Sequence, residues 1–147
     1  LEHWEYTGYI TTPRGCIQPA VVELEDGHLL CFLRTRDSFI FRSESYDYGR
    51  TWSPPRSTSL KNPNSGIDLI KLIDDRLIVI FNDSFDRRTP LNAGISEDNG
   101  ESWEIFDLER EDGEYSYPGI IQIRDKLVHL VYTYRREAIK YVVMEID

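Results

Sequence analysis

Cysteine is scarce in this chain. Its 147 residues include only Cys16 and Cys31. Two thiols cannot build a disulfide framework, and their spacing fits no zinc knuckle. Histidine is nearly as sparse, and the scattered His3, His28 and His129 speak against a multi-histidine metal site. The loop Asn82 to Asp86 offers two carboxylates and runs straight into Arg87 and Arg88, which disfavours calcium. No metal and no cofactor is expected. No apolar run approaches the roughly eighteen residues that a spanning helix needs, so no membrane partner is expected. The start, Leu1-Glu2-His3-Trp4, shows no basic stretch leading into an apolar run. No signal peptide is visible, and the compartment stays open. Positive charge is in deficit: 26 acidic against 17 basic residues give net −9. Such a surface repels phosphate backbones, which argues against nucleic acid. Glycine-rich phosphate loops and nucleophile elbows are absent from the sequence.

Lysine is the last scarcity, with 4 of the 17 cationic residues against 13 arginines. Arginine presents a planar fork that holds a carboxylate bidentately. The remaining composition is 40% hydrophobic and 12% aromatic, enough for a packed core.

The chain repeats. Ser45-Tyr46-Asp47-Tyr48-Gly49-Arg50-Thr51-Trp52 recurs 51 positions on as Ser96-Glu97-Asp98-Asn99-Gly100-Glu101-Ser102-Trp103. Trp4, the third tryptophan, precedes Trp52 by 48 positions. Apolar runs at Val21 to Leu24, Leu69 to Leu72 and Ile120 to Ile123 keep the same period. Each leads through an aspartate-bearing turn (Asp26, Asp74-Asp75, Asp125) into a second run at Leu29, Leu77 and Leu127, the pattern of a hairpin. A third run follows at Phe39, Leu91 and Ile139. Units of about 50 residues with four strands and no helical period read as β-propeller blades.

The expected fold is therefore all-β, with about three four-stranded antiparallel blades, half of a six-bladed propeller. The divisions are an outer strand at 1–10, blades at 16–60 and 64–110, and a three-stranded last blade at 115–147. Ser53-Pro54-Pro55 reads as a blade-to-blade connection. Three blades do not close a ring, which ordinarily takes four to eight. Either the chain is the C-terminal half of a longer propeller, or a homodimer closes a six-bladed ring, the Trp4 strand of each copy completing the other's last blade.

Ser-x-Asp-x-Gly-x-(Thr/Ser)-Trp is the Asp-box, or bacterial-neuraminidase repeat. With Gly15-Cys16-Ile17-Gln18-Pro19, Arg34-Thr35-Arg36, Asn62-Pro63-Asn64-Ser65-Gly66 and Gly113 to Pro118, the chain resembles the C-terminal half of bacterial Asp-box, sialidase-like proteins. The boxes themselves (Ser45, Asp47, Gly49, Trp52; Ser96, Asp98, Gly100, Trp103) read as structural turns. A sugar contact there is the minor alternative.

At the opposite end of the blades, strand order gathers Gln18, Arg34 and Arg36, then Asn64, Ser65, Asn82, Arg87 and Arg88, then Tyr115, Tyr117, Tyr132, Arg135 and Arg136. The resemblance implies that Arg34 and Arg88 bind a sugar carboxylate, and strand order adds Arg36, Asn82, Ser65, Tyr117 and Arg135 as further substrate-binding candidates. It implies Tyr115 as nucleophile, the tyrosine that sialidases use in place of a carboxylate. Gln18 stands where the family has the glutamate that takes the tyrosine's proton, and an amide cannot do so. Two readings stay open. One is a sialidase-like exo-glycosidase for an acidic sugar, weakly active or inactive as this chain. The other is a non-catalytic carbohydrate-binding or assembly module.

Overall fold

A computed structural model describes residues 2–124 and 126–147. Eleven strands fall into three antiparallel sheets among these residues. The first sheet is β1 (Cys16–Glu25), β2 (His28–Thr35), β3 (Phe39–Ser45) and β4 (Arg56–Lys61). The second is β5 (Asp68–Lys71), β6 (Leu77–Phe81), β7 (Leu91–Ser96) and β8 (Glu104–Glu109). The third is β9 (Tyr115–Arg124), β10 (Leu127–Tyr134) and β11 (Ala138–Glu145). Each is a meander in sequence order. The three-blade reading holds; Asp125, assigned to the third turn from the sequence, lies outside the described residues.

Alternation sets which face each strand buries. Along β1, Ala20, Val22 and Leu24 turn inward between exposed neighbours. They pack with Leu30, Phe32 and Ile40 against Ile67, Leu69, Leu77, Val79 and Phe81 of the second blade. The other face of the second blade, with Ile78, Ile80 and Leu91, packs on Ile120, Val128 and Leu130 of the third. Strand β6 is buried along its whole length because both its faces are seams.

The two Asp-boxes fold alike. Ser45 Oγ donates to Asp47 Oδ1 (2.8 Å) and accepts from Gly49 N (2.9 Å). Asp47 accepts from Thr51 N (2.8 Å) and Thr51 Oγ1 (2.7 Å). Ser96, Asp98, Gly100 and Ser102 repeat this set. Gly49 and Gly100 sit at φ 83° and 81°, where a Cβ would be strained. The second box also pins the seam. Trp103 packs 5.7 Å from Phe32, and buried Arg42 of β3 donates to Gly100 O (3.0 Å) and Asn99 O (3.2 Å).

Two expectations change. Residues 2–12 carry no strand, and Trp4 is 77% exposed. The partner expected for that segment is the free side of β11 in another copy. Ser53-Pro54-Pro55 lies inside the first blade, between its Asp-box and β4. Ser53 N donates to Glu44 O (2.8 Å), so the segment is still bound to β3. Proline supplies no ladder donor, which delays β4 to Arg56. The true blade-to-blade links are 62–67 and 110–114.

Candidate functional site

The inner strands β1 and β9 open with the same device. Gln18 (φ 46°) and Tyr117 (φ 53°) each occupy the left-handed region ahead of a proline. Each sits where its strand slips register against the next, between Ile17 and Ala20 and between Val131 and Thr133. The second blade contributes Asn64, also left-handed (φ 57°), just ahead of β5. Non-glycine residues in that region carry strain of about 1–3 kcal/mol, and such strain concentrates at functional sites. The three residues converge. A Cβ on Gly66 would lie 3.4 Å from Tyr117 Cα and 3.5 Å from Gln18 Oε1.

Arg34 is the centre of the group. It comes from the buried end of β2 and is itself only 8% exposed. Its Nε donates to Asn64 Oδ1 (2.8 Å) and its Nη1 to Gln18 Oε1. Arg88 reaches in from the β6–β7 loop, its guanidinium carbon 5.2 Å from the centre of the Tyr117 ring. Arg88 Nη1 also pairs with Glu114 (2.9 Å), whose second oxygen holds Arg136 Nε (2.9 Å). Burial, and then the neighbouring Arg88 charge, lower the Arg34 pKa. Arg88, and secondarily Arg34, hold the Tyr117 phenol below its usual value by stabilising the phenolate. Tyr117 is 51% exposed, so the phenol meets solvent. A cavity of about 490 Å³ opens beside Arg88, between the loops carrying Asp86 to Thr89 and Asp112 to Glu114.

Other expected site residues lie elsewhere. Tyr115 is fully buried, packed 5.5 Å from Tyr134 and 6.5 Å from Tyr132, with its hydroxyl against Gly113 and Arg135. Tyr115, the nucleophile that the resemblance implies, is buried here, and the exposed phenol beside the arginines is Tyr117. The distinguishing signal was present in sequence, since Tyr117-Pro118 stands two repeats on from Gln18-Pro19. Ser65 and Asn82 are also fully buried. Ser65 Oγ donates to Asn82 Oδ1 (2.7 Å), and Asn82 Nδ2 donates to Pro90 O (2.9 Å) and Tyr115 O (3.1 Å). These bonds tie the start of β5 to the loop after β6 and to β9. Arg135 is engaged by Glu111 (2.9 Å) and stacks on Tyr134 (5.2 Å). Arg36 is exposed and enters none of these contacts. Tyr132 donates to Glu109 and is buried.

Chemically, two guanidiniums, two amides and a phenol come together near the entrances of β1, β5 and β9. The cations suit a carboxylate, and a phenol poised toward ionisation suits nucleophilic attack. No group of three or more His, Cys, Asp or Glu side chains among the described residues could hold a metal.

Blades of antiparallel strands pinned by Asp-box turns, with basic residues at the entrances of the inner strands, define a segment of a sialidase-type β-propeller. The chain belongs to the BNR repeat-like domain family, whose model matches residues 2–130. It is similar in structure to a Hadza microbial sialidase, at 24% identity and TM-score 0.77, over 89% of this chain and 28% of that one. The intramolecular trans-sialidase from Ruminococcus gnavus, in complex with oseltamivir carboxylate, matches at 22% identity and TM-score 0.74, over 88% and 32%. An alpha-L-arabinofuranosidase from Fusarium graminearum matches at 15% identity and TM-score 0.66, over 92% and 46%. These likenesses show the fold, and the chain spans between about a quarter and a half of those proteins' length. Comparison with curated proteins gives no match.

Proposed function

We propose that the chain supplies the carboxylate-binding and nucleophile side of a sialidase-like glycosidase site for an acidic sugar. The observation that carries this reading is that Arg34 and Arg88 both bear on the exposed Tyr117 phenol. The two arginines hold the sugar's carboxylate. The phenolate oxygen of Tyr117 bonds to the anomeric carbon as the glycosidic C–O bond breaks, and water later cleaves the tyrosyl–sugar bond. A phenol suits this task because a carboxylate nucleophile would repel an anionic substrate. The arginines favour the ionised phenol where Gln18 cannot take its proton. No side chain of this cluster is free to protonate the leaving group, so turnover by the 147-residue chain is expected to be weak or absent.

A second reading is a non-catalytic acidic-glycan binding or assembly module. The Gln18 amide favours it, since it spends its oxygen on Arg34 and has no basic role. A panel of fluorogenic acidic glycosides, with parallel binding measurements, separates the two. Turnover lost in Tyr117→Phe with binding retained supports the glycosidase. Saturable binding without turnover, weakened in Arg34→Ala, supports the binding module. Absence of both binding and turnover across the panel overturns both.

A further inference from the structure

The first Asp-box carries more than its turn needs. Both boxes make the same hydrogen bonds, yet the first has Tyr46 where the second has Glu97. The second box folds without an aromatic there, so the turn does not require one. The residue across the hairpin differs as well. Leu29 pairs with Ser45 and Leu77 with Ser96, so His28 holds in the first blade the place of Arg76 in the second. Opposite charges in one blade are thus two rings in the other.

The two rings are held in place. Tyr46 stacks on His28 with ring centres 4.2 Å apart and planes 20° from parallel. Tyr46 Oη donates to Glu44 Oε2 (3.0 Å), and His28 Nε2 lies 2.9 Å from the same oxygen. That bond from Tyr46 to Glu44 raises the phenol's pKa, so it stays an uncharged donor. Glu44 Oε1 meets Arg42 of the same strand (3.0 Å). The imidazole covers one face of the Tyr46 ring, yet Tyr46 is 71% exposed, which leaves the other face as a flat plate toward solvent. Arg56 stands beside it, 3.8 Å from Glu44 and 2.6 Å from Glu101, and both members of that last pair are half-exposed. Both walls of this place lie within the chain. Arg42 binds the second blade's box, and Glu101 belongs to that box.

We propose that Tyr46, with Arg56 and Glu101 at its edge, is a second carbohydrate site, which takes a neutral pyranose. The C–H face of the sugar lies on the ring, and the pre-positioned side chain loses little freedom when it does. The Arg56 fork donates to hydroxyls at the sugar's edge, and the Glu101 carboxylate accepts from them. Charge selects a neutral sugar, because Glu44 and Glu101 balance Arg42 and Arg56. Size selects a sugar over a protein. A stable protein contact buries about 800 Å² on each partner around an apolar centre, and here one ring stands among charged groups. The place is separate from the acidic-sugar site, since His28 and Arg34 stand at opposite ends of β2, roughly 20 Å apart.

The test is a two-dimensional NMR titration of the isotope-labelled 147-residue chain with lactose, cellobiose and chitobiose at millimolar concentration. At least one sugar should give saturable shifts centred on His28, Tyr46, Arg56 and Glu101. Tyr46→Glu, the side chain that the second box accommodates, should weaken that binding about tenfold with the remaining spectrum unchanged. Tyr46→Phe, which keeps the ring, should retain most of it. Absence of a saturable shift with all three sugars overturns the proposal. So do shifts centred elsewhere, or binding that survives Tyr46→Glu unchanged. None of these outcomes depends on a carboxylate held by Arg34 and Arg88.

Discussion

Arg42 gives the sharpest stability prediction. Its guanidinium is 2% exposed, yet it belongs to the first blade and binds the second blade's Asp-box. It donates to two box carbonyls and pairs with Glu44 and Glu101, each at 3.0 Å. Arg42→Met keeps the stem's apolar packing and removes every donor. The Gly100 and Asn99 carbonyls and mostly buried Glu44 then lose a charged partner. Removing one member of a buried ion pair costs about 3–5 kcal/mol. Glu44 keeps His28 (2.9 Å) and Glu101 keeps Arg56 (2.6 Å), so the loss here should be near the lower end, about 3 kcal/mol. At roughly 2–4 °C per kcal/mol for a chain of this size, Tm should fall by about 6–12 °C. Arg34 and Gln18 lie on the first blade and Asn64 and Arg88 on the second, so acidic-sugar affinity should fall with it. Glu101→Gln, at a half-exposed partner, should cost under about 1 kcal/mol. The assay is urea unfolding by tryptophan fluorescence, paired with a thermal scan. An Arg42→Met protein within about 1 kcal/mol of wild type would refute the pinned seam.

Acid should expose the Asp-boxes. Hydrogen bonds from Thr51 and Ser102, first among several, hold Asp47 and Asp98 at about 2, below their ordinary 3.8. A depressed folded-state pKa stabilises above the unfolded value, and this contribution disappears as pH falls from 3.8 through about 2. Urea midpoints measured across that window should drop, and the drop should shrink in the Asp47→Asn, Asp98→Asn double variant. Gly66→Ala should leave stability within about 1 kcal/mol, because the added methyl meets its neighbours at 3.4–3.5 Å. It should still lower sugar affinity, since those neighbours are Tyr117 and Gln18; unchanged affinity in calorimetry would place the ligand elsewhere.

The blades were legible because their signals are short-range. A Ser-x-Asp-x-Gly-x-Thr-Trp turn closes within eight residues, and the hairpins Glu25-Asp26-Gly27 and Asp74-Asp75 announce themselves locally. Arg34 and Arg88 were legible because strand order alone sends them to one end. Tyr115 and Tyr117 part for a conformational reason. Neighbouring strand residues alternate faces, but Tyr117 stands two positions on, and strict alternation gives both residues the same face. The register slip and the left-handed turn at Tyr117 break that rule, leaving one phenol buried and the other in solvent. Ser65 and Asn82 were placed at the correct end, but burial there is a tertiary property that strand order does not carry. The Trp4 segment carries no strand here, because an outer strand exists only when an edge is present to pair with it.

Arg34 and Arg88 form the proposed carboxylate site against Tyr117. Titration calorimetry of the intact chain with an acidic monosaccharide, and with its analogue reduced at the carboxylate, tests it most directly. Saturable binding of the acid is expected, with at least tenfold weaker binding of the reduced sugar (about 1.4 kcal/mol) and a similar loss in Arg34→Ala. Equal affinity for the two sugars, or binding that survives Arg34→Ala unchanged, would contradict it.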